Sequence, residues 1–210
     1  GVTFSGGVIG TTLTITDTAD GADVTFADGQ TVSLGSLGTA APAYDVVIQS
    51  AIFGVTADTT FNNTGAVTLG NTDTDGLTFT GGLDTTQGPS VVNAAGTINT
   101  TGTQMDIGAV TLTAATTFDT GSGATGVLNV GAVTSAGNGL TLDSGSTAGA
   151  TIGLASMADL TGGLTVRDAG GLATIGAVGG GGAGAVTITN SQAGVTFSGG
   201  VIGTTLTITD

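Results

Sequence analysis

Gly1 to Asp17 reads GVTFSGGVIGTTLTITD, and Gly194 to Asp210 repeats it letter for letter. The two copies are offset by 193 residues. A self-contained globular domain gains nothing from an identical opening and close, whereas a tandem array produces one at every join. The duplication therefore predicts a full repeat, residues 1–193, followed by 194–210 as the start of the next, with Asp210 standing where Asp17 stood. Such internal periods point to folds in which each unit buries its apolar face against its neighbour.

Composition narrows the choice of unit. Of 210 residues, 41 are Gly and 44 are Thr, so helix is disfavoured throughout. Gly costs about 1 kcal/mol per site in a helix interior, and Thr is stiff at its branched Cβ. All fifteen acids are Asp, there is no Cys, His or Lys, and Arg167 is the only base. The net charge of −14 excludes nucleic acid and anionic membranes as partners, because binding phosphate needs Lys and Arg. The mean hydropathy of +0.45 with only 8% charged residues is the opposite of a disordered composition. No apolar run approaches the roughly 20 residues of a membrane helix.

An apolar-Thr-apolar triplet recurs along the chain, as in Val2-Thr3-Phe4, Leu13-Thr14-Ile15, Val24-Thr25-Phe26, Leu140-Thr141-Leu142 and Val186-Thr187-Ile188. Period 2 sends the outer pair to one face of a strand and Thr to the other. The first three triplets lie 11 residues apart, so alternate ones lie 22 apart. A second marker, an apolar residue before Gly, gives 23, 22 and 23 residues between Ile107-Gly108, Val130-Gly131, Ile152-Gly153 and Ile175-Gly176. Strands this short need neighbours. The spacing predicts an all-β parallel β-helix (a β-solenoid) of about 22 residues per coil and about nine coils per repeat. It is expected to be right-handed, the preferred sense of parallel crossovers. The competing expectation is a string of antiparallel sandwiches, which needs longer strands and regular hairpins.

Departures from the rhythm mark candidate sites. Thr39 to Ser50 (TAAPAYDVVIQS) contains Pro42 and the sole tyrosine, Tyr44, and reads as a wide turn or as a lateral contact between rods anchored by Tyr44. Gln87-Gly88-Pro89-Ser90 reads as a loop, and Gly179–Gly182 as a glycine corner without the Lys of a phosphate loop. Asn71-Thr-Asp73-Thr-Asp75-Gly76 matches the first half of an EF-hand, but its twelfth position is Gly82 where a bidentate Glu is required. A looser calcium site is conceivable at Asp73 and Asp75, or among Asp17, Asp20, Asp23 and Asp28. The competing reading makes these residues turn formers, as in Asp20-Gly21, Asp28-Gly29 and Asp75-Gly76.

Phe118-Asp119-Thr120-Gly121-Ser122 and Leu142-Asp143-Ser144-Gly145-Ser146 look like aspartic protease signatures. Their spacing of 24 residues, about one coil, instead predicts stacked Asx turns. The same offset aligns Asp143 with Arg167 and predicts an ion pair between coils. No residue is assigned a catalytic role.

The GAVT blocks at Gly65, Gly108, Gly131 and Gly184, with GVTF or GLTF at Gly1, Gly76 and Gly194, make the chain resemble giant bacterial surface proteins. It is similar to the β-helical stalks and passengers of filamentous-haemagglutinin-type and autotransporter-type adhesins. That resemblance implies an extracellular or cell-surface structural repeat, self-associating end to end, in a fibre, stalk or filamentous adhesin. The alternatives are a glycan- or calcium-binding module, an ice-binding solenoid suggested by Thr12-Leu13-Thr14-Ile15-Thr16 and Thr187-Ile188-Thr189, and a polysaccharide-acting enzyme built on the same fold.

Overall fold

Side chains alternate between buried and outward positions along nearly every strand, as period 2 requires. The core strand Asp45–Ile48 buries Val46 and Ile48, and Gly76–Phe79 buries Leu77 and Phe79. The computed structural model describes residues 1–182 and 184–209, and these described residues form 21 strands and no helix. Every strand pairing among the described residues is parallel, with partners 18 to 25 residues apart and most often about 22. This is a β-solenoid, and the antiparallel sandwich is excluded.

Each coil has three faces. On the first, Val2–Phe4 pairs with Asp23–Phe26, which pairs with Asp45–Ile48, and so on up the stack. The second face begins with residues 8–10 and continues through residues 32–34 and Ile52–Val55 to Gly76–Phe79. The third holds residues 12–15 and 36–39 at its base, and higher up Leu83–Asp84, Met105–Ile107 and residues 128–130. Longer strands such as Val8–Ile15, Val91–Asn99 and Val110–Asp119 bend round a corner and serve two faces.

The interior is a continuous apolar column. Phenylalanines fill its lower part: Phe4 stacks on Phe26 at 5.1 Å between ring centroids, and Phe26 meets Phe53 edge-on at 5.2 Å. Offset and edge-to-face pairs of this kind add about 0.5–1.5 kcal/mol each beyond area burial. Above them Val, Leu, Ile and Ala predominate, with Met105, Phe118 and Met157 among them.

Three sequence expectations need correction. The register stacks Val130 on Leu154 rather than on Ile152, so Ile152-Gly153 is out of step with its supposed partners, and Gly153 lies over Asn129. A third of the Thr39–Ser50 departure is the core strand Asp45–Ile48, leaving a short turn around Pro42. Gly76 opens a strand instead of turning a corner, whereas Gly21 and Gly29 do turn, at φ of 68° and 69°.

Candidate functional site

At the corner after the second face, the sequence places a polar residue and then a small hydroxyl or methyl residue in five successive coils. The pairs are Asn99-Thr100, Asp119-Thr120, Asp143-Ser144, Asp168-Ala169 and Asn190-Ser191. The first member is half-buried, except Asp143, which is buried. Asn99, Asp119, Asp143 and Asp168 are register partners one above the next. The second member is buried, and each hydroxyl donates to a carbonyl of its own corner loop: Thr100 to Thr103 O, Thr120 to Gly126 O, Ser144 to Ala150 O, and Ser191 to Gly194 O. Ala169 has no hydroxyl to give. The sequence expectation of stacked Asx turns is met at the middle of this ladder. Gly121 N–H donates to Asp119 Oδ1 and Gly145 N–H to Asp143 Oδ1, both at 2.7 Å, with both glycines at φ 68°. The buried hydroxyl column went unread, although its signal, Asn or Asp followed by Thr or Ser at coil spacing, is present in the sequence.

Arg167 binds this ladder from outside. Its Nε donates to Asp143 Oδ2, and its Nη2 lies 3.0 Å from Asp119 Oδ2. The backbone route differs from the expected one. Asp143 faces Asp168, and a bulge beside it releases Arg167 to reach across two coils. Asp168 instead accepts from Asn190 Nδ2 at 2.8 Å. Burial pushes the Asp119 carboxyl above its ordinary value, and neighbouring Asp143 adds to this, while the Gly121 N–H and Arg167 pull the other way. The arrangement spreads like charges along a column and neutralises them in part. The Asp119 and Asp143 carboxylates are each committed to a turn glycine and to Arg167, and Asp168 to Asn190, unlike two acids that share a catalytic proton.

The calcium candidates do not converge. Asp75 is buried, and its Oδ2 accepts the N–H groups of Asn71 and Thr72 at 2.8 and 3.0 Å while its Oδ1 accepts the Thr72 hydroxyl. That carboxylate closes its own turn, and Asp73 beside it faces solvent. Asp17, Asp20, Asp23 and Asp28 are all exposed, and Asp28 Oδ1 accepts the N–H of Gly29 at 2.6 Å. Among the described residues, no three acidic side chains are grouped so as to hold a metal ion. Asp210, the twin of Asp17, lies outside the described residues.

Tyr44 is also corrected. It is fully buried, with its hydroxyl donating to Ile15 O and accepting from Ala40 N–H, both at 3.0 Å. It pins one coil to the next and cannot anchor a lateral contact; Pro42 beside it is half-buried. Burial raises the Tyr44 pKa above its ordinary value.

The second face carries a further column. Thr97, Thr117, Thr141, Thr165, Thr187 and Thr207 are consecutive register partners. Glycines and alanines flank Thr97, Thr117, Thr141 and Thr165, so these four coils carry single threonines. Pairs with one residue between them, Thr187 with Thr189 and Thr207 with Thr209, occur in this column only in its last two coils, and the paired ranks expected of an ice-binding surface do not run the length of the face. The chain matches no family model, no curated protein and no solved structure.

Proposed function

We propose that this chain is a structural repeat of an extracellular fibre, stalk or filamentous adhesin, whose copies stack end to end into one continuous rod. The observation that carries the reading is how the second copy of the duplicated stretch is held. Val195–Phe197 pairs in parallel with residues 173–175, and Thr205–Ile208 pairs with Ala185–Ile188, so the opening of the next repeat is seated on the last coils of the first. A solenoid that continues across its own joins leaves open strand edges only at the ends of the array, which suppresses edge-to-edge aggregation. The outward Thr and Gly surface carries one base, Arg167, and offers trypsin-like proteases almost nothing, which suits an exposed and long-lived structure.

A rod needs no catalytic centre, and its mechanism is mechanical: load passes from coil to coil through parallel ladders and the packed interior column. The twin ends agree with this. Ile15 is 7% exposed beneath its second-coil neighbours, whereas its twin Ile208 is 55% exposed with no coil above it among the described residues. Electron microscopy of the parent protein is expected to show a thin unbroken rod. Beads separated by gaps would overturn the reading. Melting with and without a chelator tests the calcium alternative, which requires a lower transition in the chelator.

A further inference from the structure

The duplicated stretch does not return to the face from which it started. Val2–Phe4 lies on the first face, but its twin Val195–Phe197 stacks on residues 173–175 of the third. Val8 pairs with Val32 on the second face, yet its twin Val201 bridges to Val178 on the first. Residues 12–15 lie on the third face, and their twins, Thr205–Ile208, lie on the second. All three parts of the stretch have moved by one face in the same sense. The register explains why. The column from Val2 through Val24, Val46 and Val67 up to Val178 spans eight coils, and Val195 lies two faces further along the chain.

We infer that tandem copies of the 193-residue repeat are related by a threefold screw, each copy advancing about eight and two thirds coils and meeting the previous one rotated by one face. The partner at each end of the repeat is thus a further copy of the same chain, seated one face round. At the roughly 4.8 Å spacing of stacked strands the advance is about 42 Å per copy, and three copies close on a whole number of coils. The seat is interchangeable because the inward residues of all three faces are of one kind: the coil below presents Ala173 and Ile175 to Val195 and Phe197, and Val186 and Ile188 to Leu206 and Ile208. Each apolar end is complementary to the other. Val2 is 48% exposed with no coil beneath it among the described residues, whereas its twin Val195 is half-buried.

The screw decides what the rod presents. Ile9 points outward at 86% exposure on the second face, and its twin Ile202, at 65%, emerges on the first. A feature carried once per repeat therefore appears on all three sides of the rod in turn. Lateral contacts made through it spread in three directions and build a bundle instead of a flat ribbon.

This inference rests on the rod reading, and one pair of variants separates the two. The chain has no cysteine, so introduced thiols are the only ones. Thr187 and Thr207 are register partners on adjacent parallel strands, both outward, within the distance that a disulfide spans. In the 210-residue chain T187C/T207C is expected to oxidise to a disulfide, while T187C/I202C stays reduced. If T187C/I202C closes instead, the twin of Ile9 has kept its original face, and the screw is wrong while the rod stands. If neither closes, residues 194–210 are not stacked on the preceding coils, and both readings fall. Circular dichroism of each reduced variant, expected to match the parent chain, confirms that a negative result is not unfolding.

Discussion

Ala136 carries the only positive φ, 49°, of any non-glycine residue among those described, in the tight turn where Asn138 N–H donates to Ser135 O. A left-handed conformation costs an L-residue roughly 1–2 kcal/mol, part of which glycine recovers. Ala136→Gly is therefore expected to stabilise the chain by about 0.5–1 kcal/mol in urea unfolding. Glycines also mark close approach. A Cβ on Gly176 would run into the carbonyl of Ala155 in the coil below, whereas one on Gly10 would meet only Leu34 Cδ2, at 3.9 Å. Gly176→Ala is expected to cost about 1–3 kcal/mol, and Gly10→Ala less than about 0.5, by the same measurement. At Asp119 the raised carboxyl pKa fixes the sign of a pH effect. The folded state binds a proton more readily than the unfolded state there. Its contribution to stability thus grows as pH falls through the folded pKa, and is complete below the unfolded value. Asp159, whose pKa the Thr161 hydrogen bonds lower, acts in the opposite sense, so the readout is a difference: the urea midpoint of the wild-type chain minus that of Asp119→Asn is expected to grow as pH falls from neutral toward the carboxylate range. At the alkaline end the sole tyrosine reports for itself. With Tyr44 buried and its pKa raised, the phenolate absorbance is expected to appear together with unfolding above pH 10 and not before it.

At the scale of the coil, the corner hydroxyls are the elements that close the loops. Ser144→Ala removes the 2.9 Å hydroxyl bond to the Ala150 carbonyl, which keeps the N–H of Gly171 at 2.7 Å, and is expected to cost about 0.5–1.5 kcal/mol. Ala169 shows that one coil in the column stands without such a bond, so the substitution is expected to weaken the stack without collapsing it. The strands themselves were legible because Val-Thr-Phe and Leu-Thr-Leu state their own inward and outward sides. The spacing was legible because identical side chains recur once per coil. Register was less so. Parallel stacking is fixed by contacts with the coils above and below, and a dipeptide such as Ile152-Gly153 recurs at the right distance without occupying the equivalent place. Burial was the other gap. Tyr44 and Asp75 sit among turn-forming residues that read as surface, and only the fold shows that one hydroxyl and one carboxylate have been turned inward to satisfy backbone groups. The bulge that frees Arg167 had no signal in composition or spacing.

For the molecule as a whole, stability is a sum over coils and their nearest-neighbour interfaces, so protection should fall toward the ends and peak in the middle. The duplicated stretch turns this into an internal control, since identical sequences have identical intrinsic exchange rates. Ser198 N–H donates to Ile175 O at 2.8 Å and Thr209 N–H to Ile188 O at 2.9 Å, both in the coil below. Their twins Ser5 and Thr16 belong to the first coil, which has none beneath it among the described residues. Amide hydrogen exchange resolved residue by residue on the 210-residue chain is the most direct test of coil-on-coil stacking across the join. Stacking predicts that Ser198 and Thr209 exchange markedly more slowly than Ser5 and Thr16. Equal rates within each twin pair would contradict it.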